Sequence, residues 1–76
     1  MFEVYYAAPI NPDREAHITA HVAKFEGRLD YREDPDADRK SICLTYEFDS
    51  FEKAELAASE LQQQGEHIEG PQLYGD

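Results

Sequence analysis

A split α+β fold, with elements in the order β-α-β-β-α-β, follows from three features of the sequence. Apolar and polar residues alternate at period two in four short runs, at 2–8, 28–33, 40–48 and 67–69. Two longer stretches, 13–26 and 50–64, place their apolar residues at helical spacing instead. Proline and glycine mark the changes of period, at Pro9 and Pro12, at Gly27, at Gly65 and at Gly70-Pro71.

In the first run, FEVYYAA, Phe2, Val4 and Tyr6 point one way while Glu3, Tyr5 and Ala7 point the other, which predicts a strand with one buried face. Asn11 followed by Pro12 is a helix start, a side-chain cap and then a residue whose fixed φ and missing N–H suit the first helical position. Ile18, Val22 and Phe25 form the apolar stripe of that helix, and Gly27 stands where a terminating glycine belongs. Leu29 and Tyr31 alternate with Arg28, Asp30 and Arg32 in a second strand. The connector Asp34-Pro35-Asp36-Ala37-Asp38 joins it to the clearest strand, KSICLTYEF, with Ile42, Leu44, Tyr46 and Phe48 on one side and Cys43, Thr45 and Glu47 on the other. Asp49 with Glu52 three residues on resembles a capping box, and the second helix carries Phe51, Ala54, Ala58 and Leu61 inward until Gly65 stops it. His67-Ile68-Glu69 is a last, short strand, which Gly70-Pro71 confines to an edge.

This order is that of the ferredoxin-like arrangement: a four-stranded antiparallel sheet with both helices on one face, since each βαβ half turns right-handed. Residues 1–76 form a single domain, with 71–76 expected as a loose tail. The expected core is Phe2, Val4, Tyr6, Ile18, Val22, Phe25, Leu29, Tyr31, Ile42, Leu44, Tyr46, Phe48, Phe51, Ala54, Ala58, Leu61 and Ile68. The same alternation puts Glu3, Tyr5, Ala7, Arg28, Asp30, Arg32, Cys43, Thr45, Glu47, His67 and Glu69 on the face without helices. Leu56 is predicted on the outer side of the second helix.

Composition narrows the function. With 41% hydrophobic and 32% charged residues the chain can fold as a small globular domain rather than stay disordered. Seventeen acids against seven bases leave a net charge of −10, which opposes a grip on phosphate backbones or anionic membranes. The imbalance is concentrated late: residues 41–76 hold eight acids and one base, Lys53. RNA readers of this topology stack bases on aromatic residues and carry a basic-Gly-aromatic signature, and the chain has no such signature. Cys43 is alone, so no internal disulfide forms, and a cytoplasmic setting is expected. The first fifteen residues lack the charged and apolar regions of a signal peptide, and no run reaches the length of a transmembrane helix.

Candidate chemistry is sparse. His17 and His21 are one helical turn apart, a spacing that can chelate Zn²⁺ or Ni²⁺, and Asp13 extends the same stripe. Asp34, Asp36 and Asp38 open like a Ca²⁺ loop, but Arg39 stands where that loop needs glycine and Thr45 where it needs glutamate. Cys43 lies mid-strand with no histidine nearby in sequence, and Ser41, Ser50 and Ser59 sit in no nucleophile elbow. Acylphosphatases share the topology and bind phosphate in the loop after the first strand; here that loop, Ala8-Pro9-Ile10-Asn11-Pro12, has neither glycine nor arginine. Amino-acid-binding ACT domains also share it, and the glycine of their first turn is missing too.

The expectation is therefore a non-enzymatic interaction module without a cofactor. It self-associates, as in a homodimer, through the helix-free face (Glu3, Tyr5, Arg28, Asp30, Arg32, Thr45, Glu47, His67 and Glu69) or a strand edge. The alternatives are an acidic inhibitor or nucleic-acid mimic that binds a basic protein, and a divalent-metal binder using Asp13, His17 and His21. Neither RNA, DNA nor a membrane is an expected partner.

Overall fold

The computed structural model describes residues 1–38 and 40–71. Its elements run β1 (Phe2–Ala7), α1 (Pro12–Ala23), β2 (Arg28–Glu33), β3 (Ser41–Glu47), α2 (Phe51–Gln63) and β4 (His67–Glu69). The strands form one antiparallel sheet in the order β2-β3-β1-β4, so the fold is the split β-α-β-β-α-β arrangement, with β3 and β1 central and β2 and β4 at the edges. Among the described residues no helix is long and apolar enough to cross a membrane.

Directly paired residues of an antiparallel ladder share a face. Phe2 stands opposite Tyr46, Val4 between Leu44 and Ile68, and Tyr6 opposite Ile42. That face meets Ile18 and Val22 of α1 and Ala54, Ala57, Ala58 and Leu61 of α2 in one buried cluster, so both helices cover the same side of the sheet. Burying each large side chain of this cluster stabilises the fold by about 1.5–3 kcal/mol relative to leaving it in water.

The helix ends explain several sequence choices. Asn11 accepts the Arg14 N–H at 3.1 Å, and Pro12 follows as the first helical residue. Ser50, not Asp49, caps α2 by accepting the Lys53 N–H at 3.3 Å; the Asp49 carboxylate goes to Arg28 at 3.4 Å. Gly65 takes the left-handed backbone at φ 96° that ends α2, with the Glu66 N–H returning to the Leu61 carbonyl at 3.0 Å. At the end of α1 the left-handed residue is Glu26, at φ 66°, and Gly27 is needed for another reason. A Cβ on Gly27 would lie 2.4 Å from both Phe48 Cζ and Val22 Cγ1, so the backbone there passes against the core with no room for a side chain.

Strand β2 departs from simple alternation. Leu29 pairs with Tyr46 but Tyr31 pairs with Thr45, so Asp30 is an extra residue, a β-bulge. Every residue after the bulge changes face. Tyr31, expected in the core, turns to the helix-free side and is 58% exposed, while Leu29 stays on the core side at the open edge and is 42% exposed. Arg32 stands opposite Leu44 and turns toward the helices. Phe51 is a further departure: in the first turn of α2 it is 37% exposed, and Ala57 joins Ala54, Ala58 and Leu61 in the buried stripe. Phe25 packs against the core only in part, and Leu56 is exposed as expected. Of the expected loose tail, residues 72–76 lie outside the described residues.

Arg32 has a partner on the side it turned to. Its Nε and one terminal nitrogen donate to the Glu15 carboxylate of α1 at 2.7 and 3.0 Å. The same carboxylate accepts the Tyr6 hydroxyl, whose oxygen accepts the Asn11 N–H at 3.0 Å. The Arg14 guanidinium lies 5.0 Å from the Tyr6 ring centroid and donates to Glu66 at 2.8 Å. One polar cluster thus ties the edge strand β2 to β1, to α1 and to the turn between α2 and β4.

Candidate functional site

The helix-free face is organised by the register of its four strands. One row across the sheet reads Tyr31, Thr45, Glu3, Glu69; the next reads Glu33, Cys43, Tyr5, His67. Arg28 and Glu47 form a partial third row. Of the residues expected here, Glu3, Tyr5, Arg28, Thr45, Glu47, His67 and Glu69 are on this face. Two are not placed as expected: Asp30 is the bulge residue without a ladder partner, and Arg32 is on the helix side. Tyr31 and Glu33 take their place, and sequence reasoning missed both because nothing in the composition of 28–33 marks an inserted residue. The exchange removes a guanidinium from the face, replaces the Asp30 carboxylate by that of Glu33, and adds an exposed aromatic ring.

The small residues of β3 form the floor of this face. Cys43 is 2% and Thr45 9% exposed, because the longer side chains of the neighbouring strands close over them. Glu3 Oε2 accepts the Cys43 thiol at 3.5 Å, and Thr45 Oγ1 lies 4.0 Å from the sulfur. Burial pushes the Cys43 thiol above its ordinary range. Tyr5 is raised as well, first by burial and then by hydrogen bonding to Cys43. Both groups therefore hold their protons at neutral pH, and Cys43 is a poor nucleophile. Thiol-alkylating reagents are expected to leave Cys43 unmodified in native protein at pH 7 and to label it only on unfolding; fast labelling without denaturant would refute this account of the floor.

The rim is charged. Arg28 pairs with Glu47 at 2.9 Å and reaches Asp49 at 3.4 Å, so its charge is already matched at one end of the face. Tyr5 and His67 meet edge to face with centroids 5.9 Å apart, and His67 lies 3.4 Å from Glu69. Glu3, Glu33 and Glu69 complete a surface on which carboxylates outnumber guanidinium groups.

The expected metal trio does not assemble. His17 bonds Gln64 of α2 at 3.2 Å, whereas His21 is 8% exposed, lies against the Phe25 ring, and has its Nε2 3.9 Å from Glu60. Asp13 is exposed in the first turn of α1. The two histidines thus spend their spacing on packing α1 against α2. Among the described residues no three His, Cys, Asp or Glu side chains are grouped to hold a metal ion.

Compared with known proteins, the chain matches no family model, no curated protein and no solved structure. The functional reading rests on its own residues.

Proposed function

We propose that this domain is a non-enzymatic interaction module that meets a basic protein partner across its helix-free sheet face. The observation that carries this reading is the β2 bulge, which sends Arg32 to the helix side and leaves the face with Glu3, Glu33, Glu47 and Glu69 around Tyr5 and Tyr31. Arg28, the guanidinium that remains there, is matched by Glu47 and Asp49.

Self-association draws less support from the same geometry. Two copies meeting face to face would oppose carboxylates to carboxylates. The edges are poor templates too: β2 is bulged and carries Arg28, Asp30 and Arg32, and β4 is three residues long and followed by Gly70-Pro71. Light scattering over a concentration series is expected to report a monomer throughout. Calorimetric titration with poly-lysine is expected to give binding that weakens steeply between low and physiological ionic strength. A concentration-dependent dimer together with no heat from poly-lysine would reverse the choice of partner.

A further inference from the structure

The two helices are joined by a ladder of polar pairs. From the start of α1 onward these are Arg14 with Glu66 at 2.8 Å, His17 with Gln64 at 3.2 Å, His21 with Glu60 at 3.9 Å and Glu26 with Lys53 at 2.7 Å. The rung at His21 differs from the others. Its contact is too long for a hydrogen bond, and among the described residues the Nε2 atom has no other partner, although the ring is more than nine-tenths buried. A neutral imidazole in this place leaves a buried polar atom unmatched, at a cost in free energy.

A proton on the ring changes that balance in two ways. His21 lies in the last turn of α1, where the carbonyls of the helix end favour a cation. The charged Nε2–H also faces the Glu60 carboxylate, whose half-exposed side chain can swing to close the gap. Among the described residues, the other titratable groups on the helix side are engaged elsewhere or exposed. On α1, His17 is bonded to Gln64 and Lys24 is exposed, while Phe25 lies against the ring with centroids 5.5 Å apart. From the sheet, Tyr6 and Arg32 are held by Glu15, and Tyr46 by Thr19 at 2.8 Å. At the two ends of the ladder, Glu66 is taken by Arg14 and Glu26 by Lys53.

We propose that His21 and Glu60 form a proton-operated latch between α1 and α2, open while the ring is neutral and closed when it is protonated. The neighbouring rung does not respond in this way, because the Gln64 amide oxygen accepts an N–H from His17 whether that ring is neutral or charged. The latch lies in the helix layer and does not depend on which partner the sheet face takes.

The test is a double-mutant cycle on the full chain, His21→Leu with Glu60→Gln, read by urea unfolding at about pH 5.5 and about pH 8, on either side of the ordinary histidine range. At the lower pH the coupling between the two positions is expected to raise the folding constant about threefold or more, and at the higher pH to fall close to no effect. A parallel cycle, His17→Ala with Gln64→Ala, is expected to give the same coupling at both. Glu60→Gln alone provides a reading that leaves the buried ring in place. Relative to Glu55→Gln, an exposed change on the same helix, it is expected to lower the folding constant at the lower pH only. Absence of coupling at both pH values, or equal coupling at both, would overturn the latch. A rise of the same size in the His17–Gln64 cycle would show a general response of the helix pair to charge and would overturn it as well.

Discussion

Arg32→Ala is expected to lower the urea-unfolding midpoint at pH 7 severalfold more than Arg28→Ala, at the other end of the same strand, which should leave it nearly unchanged. Both are arginines of one edge strand paired with glutamate, and the bulge at Asp30 separates their fates. Arg28 is half exposed on the helix-free face. Arg32 makes a two-nitrogen contact to Glu15, whose side chain is only 15% exposed and which also holds the Tyr6 hydroxyl. Removing the guanidinium leaves that carboxylate poorly solvated and without its counter-charge. The pH dependence follows from the same contacts. Arg32, and then the Tyr6 hydroxyl, hold the Glu15 carboxyl below its ordinary range against the opposing effect of burial. A carboxyl whose folded value is depressed stabilises the fold above its unfolded value and loses that contribution as pH falls through the folded one. The native protein should therefore lose stability on acidification below about pH 4.5, and Glu15→Gln should be weaker at pH 7 and flatter with pH over that range. An Arg32→Ala variant as stable as Arg28→Ala would mean that Arg32 does not face the helices.

Gly27→Ala should be the other severe change, at about 1–3 kcal/mol, although glycine to alanine in a compatible backbone usually stabilises. Here the added methyl would enter the space of the Phe48 ring and the Val22 side chain, both part of the buried cluster, and neither end of that contact is free to move into solvent. The adjacent residue gives the opposite sign. Glu26 holds a left-handed backbone that glycine adopts without strain, and its ion pair with Lys53 at 2.7 Å is between exposed side chains. Glu26→Gly is expected to gain about 0.5 kcal/mol, the relief of backbone strain exceeding the loss of a surface pair. Thermal unfolding of the two variants separates the roles. A Gly27→Ala protein as stable as the parent would show that the turn can shift away from Phe48.

Much of this molecule was legible in its sequence, for physical reasons that vary by element. β1 and β3 are central strands with one face against the core, so their alternation is strict, and Phe2, Val4, Tyr6, Ile42, Leu44 and Tyr46 are all buried as expected. Asn11-Pro12 and Gly65 act through local backbone geometry, which a short stretch of sequence can express. β2 was misread because a bulge adds a residue without adding a signal, and one slipped position exchanges the two faces. That single slip moved Tyr31 and Arg32 together and changed the charge balance of the candidate site. Phe51 departs from the expectation because helical spacing alone does not reveal that the first turn of α2 is less covered than the turns after it, where Ala54, Ala57, Ala58 and Leu61 are buried. Gly27 was recognised as necessary, but its cause, a side chain's worth of missing space against Phe48, is tertiary. His17 and His21 show the reverse limit, since spacing permits chelation, yet the neighbouring helix engages each ring separately.

The sheet order also constrains how the chain reaches its native state. β1 comes first in sequence but lies inside the sheet, and both of its neighbours come late, with Phe2 meeting Tyr46 and Glu3 meeting Glu69. The β2–β3 hairpin closes over a short connector, while each pairing of β1 closes a loop of roughly half the chain or more and meets a correspondingly larger entropy cost. An emerging polypeptide therefore carries the apolar side of β1, Phe2, Val4 and Tyr6, without a ladder partner until β3 has been made. The sheet is completed only when β4, the last strand made, joins the remaining free edge of β1.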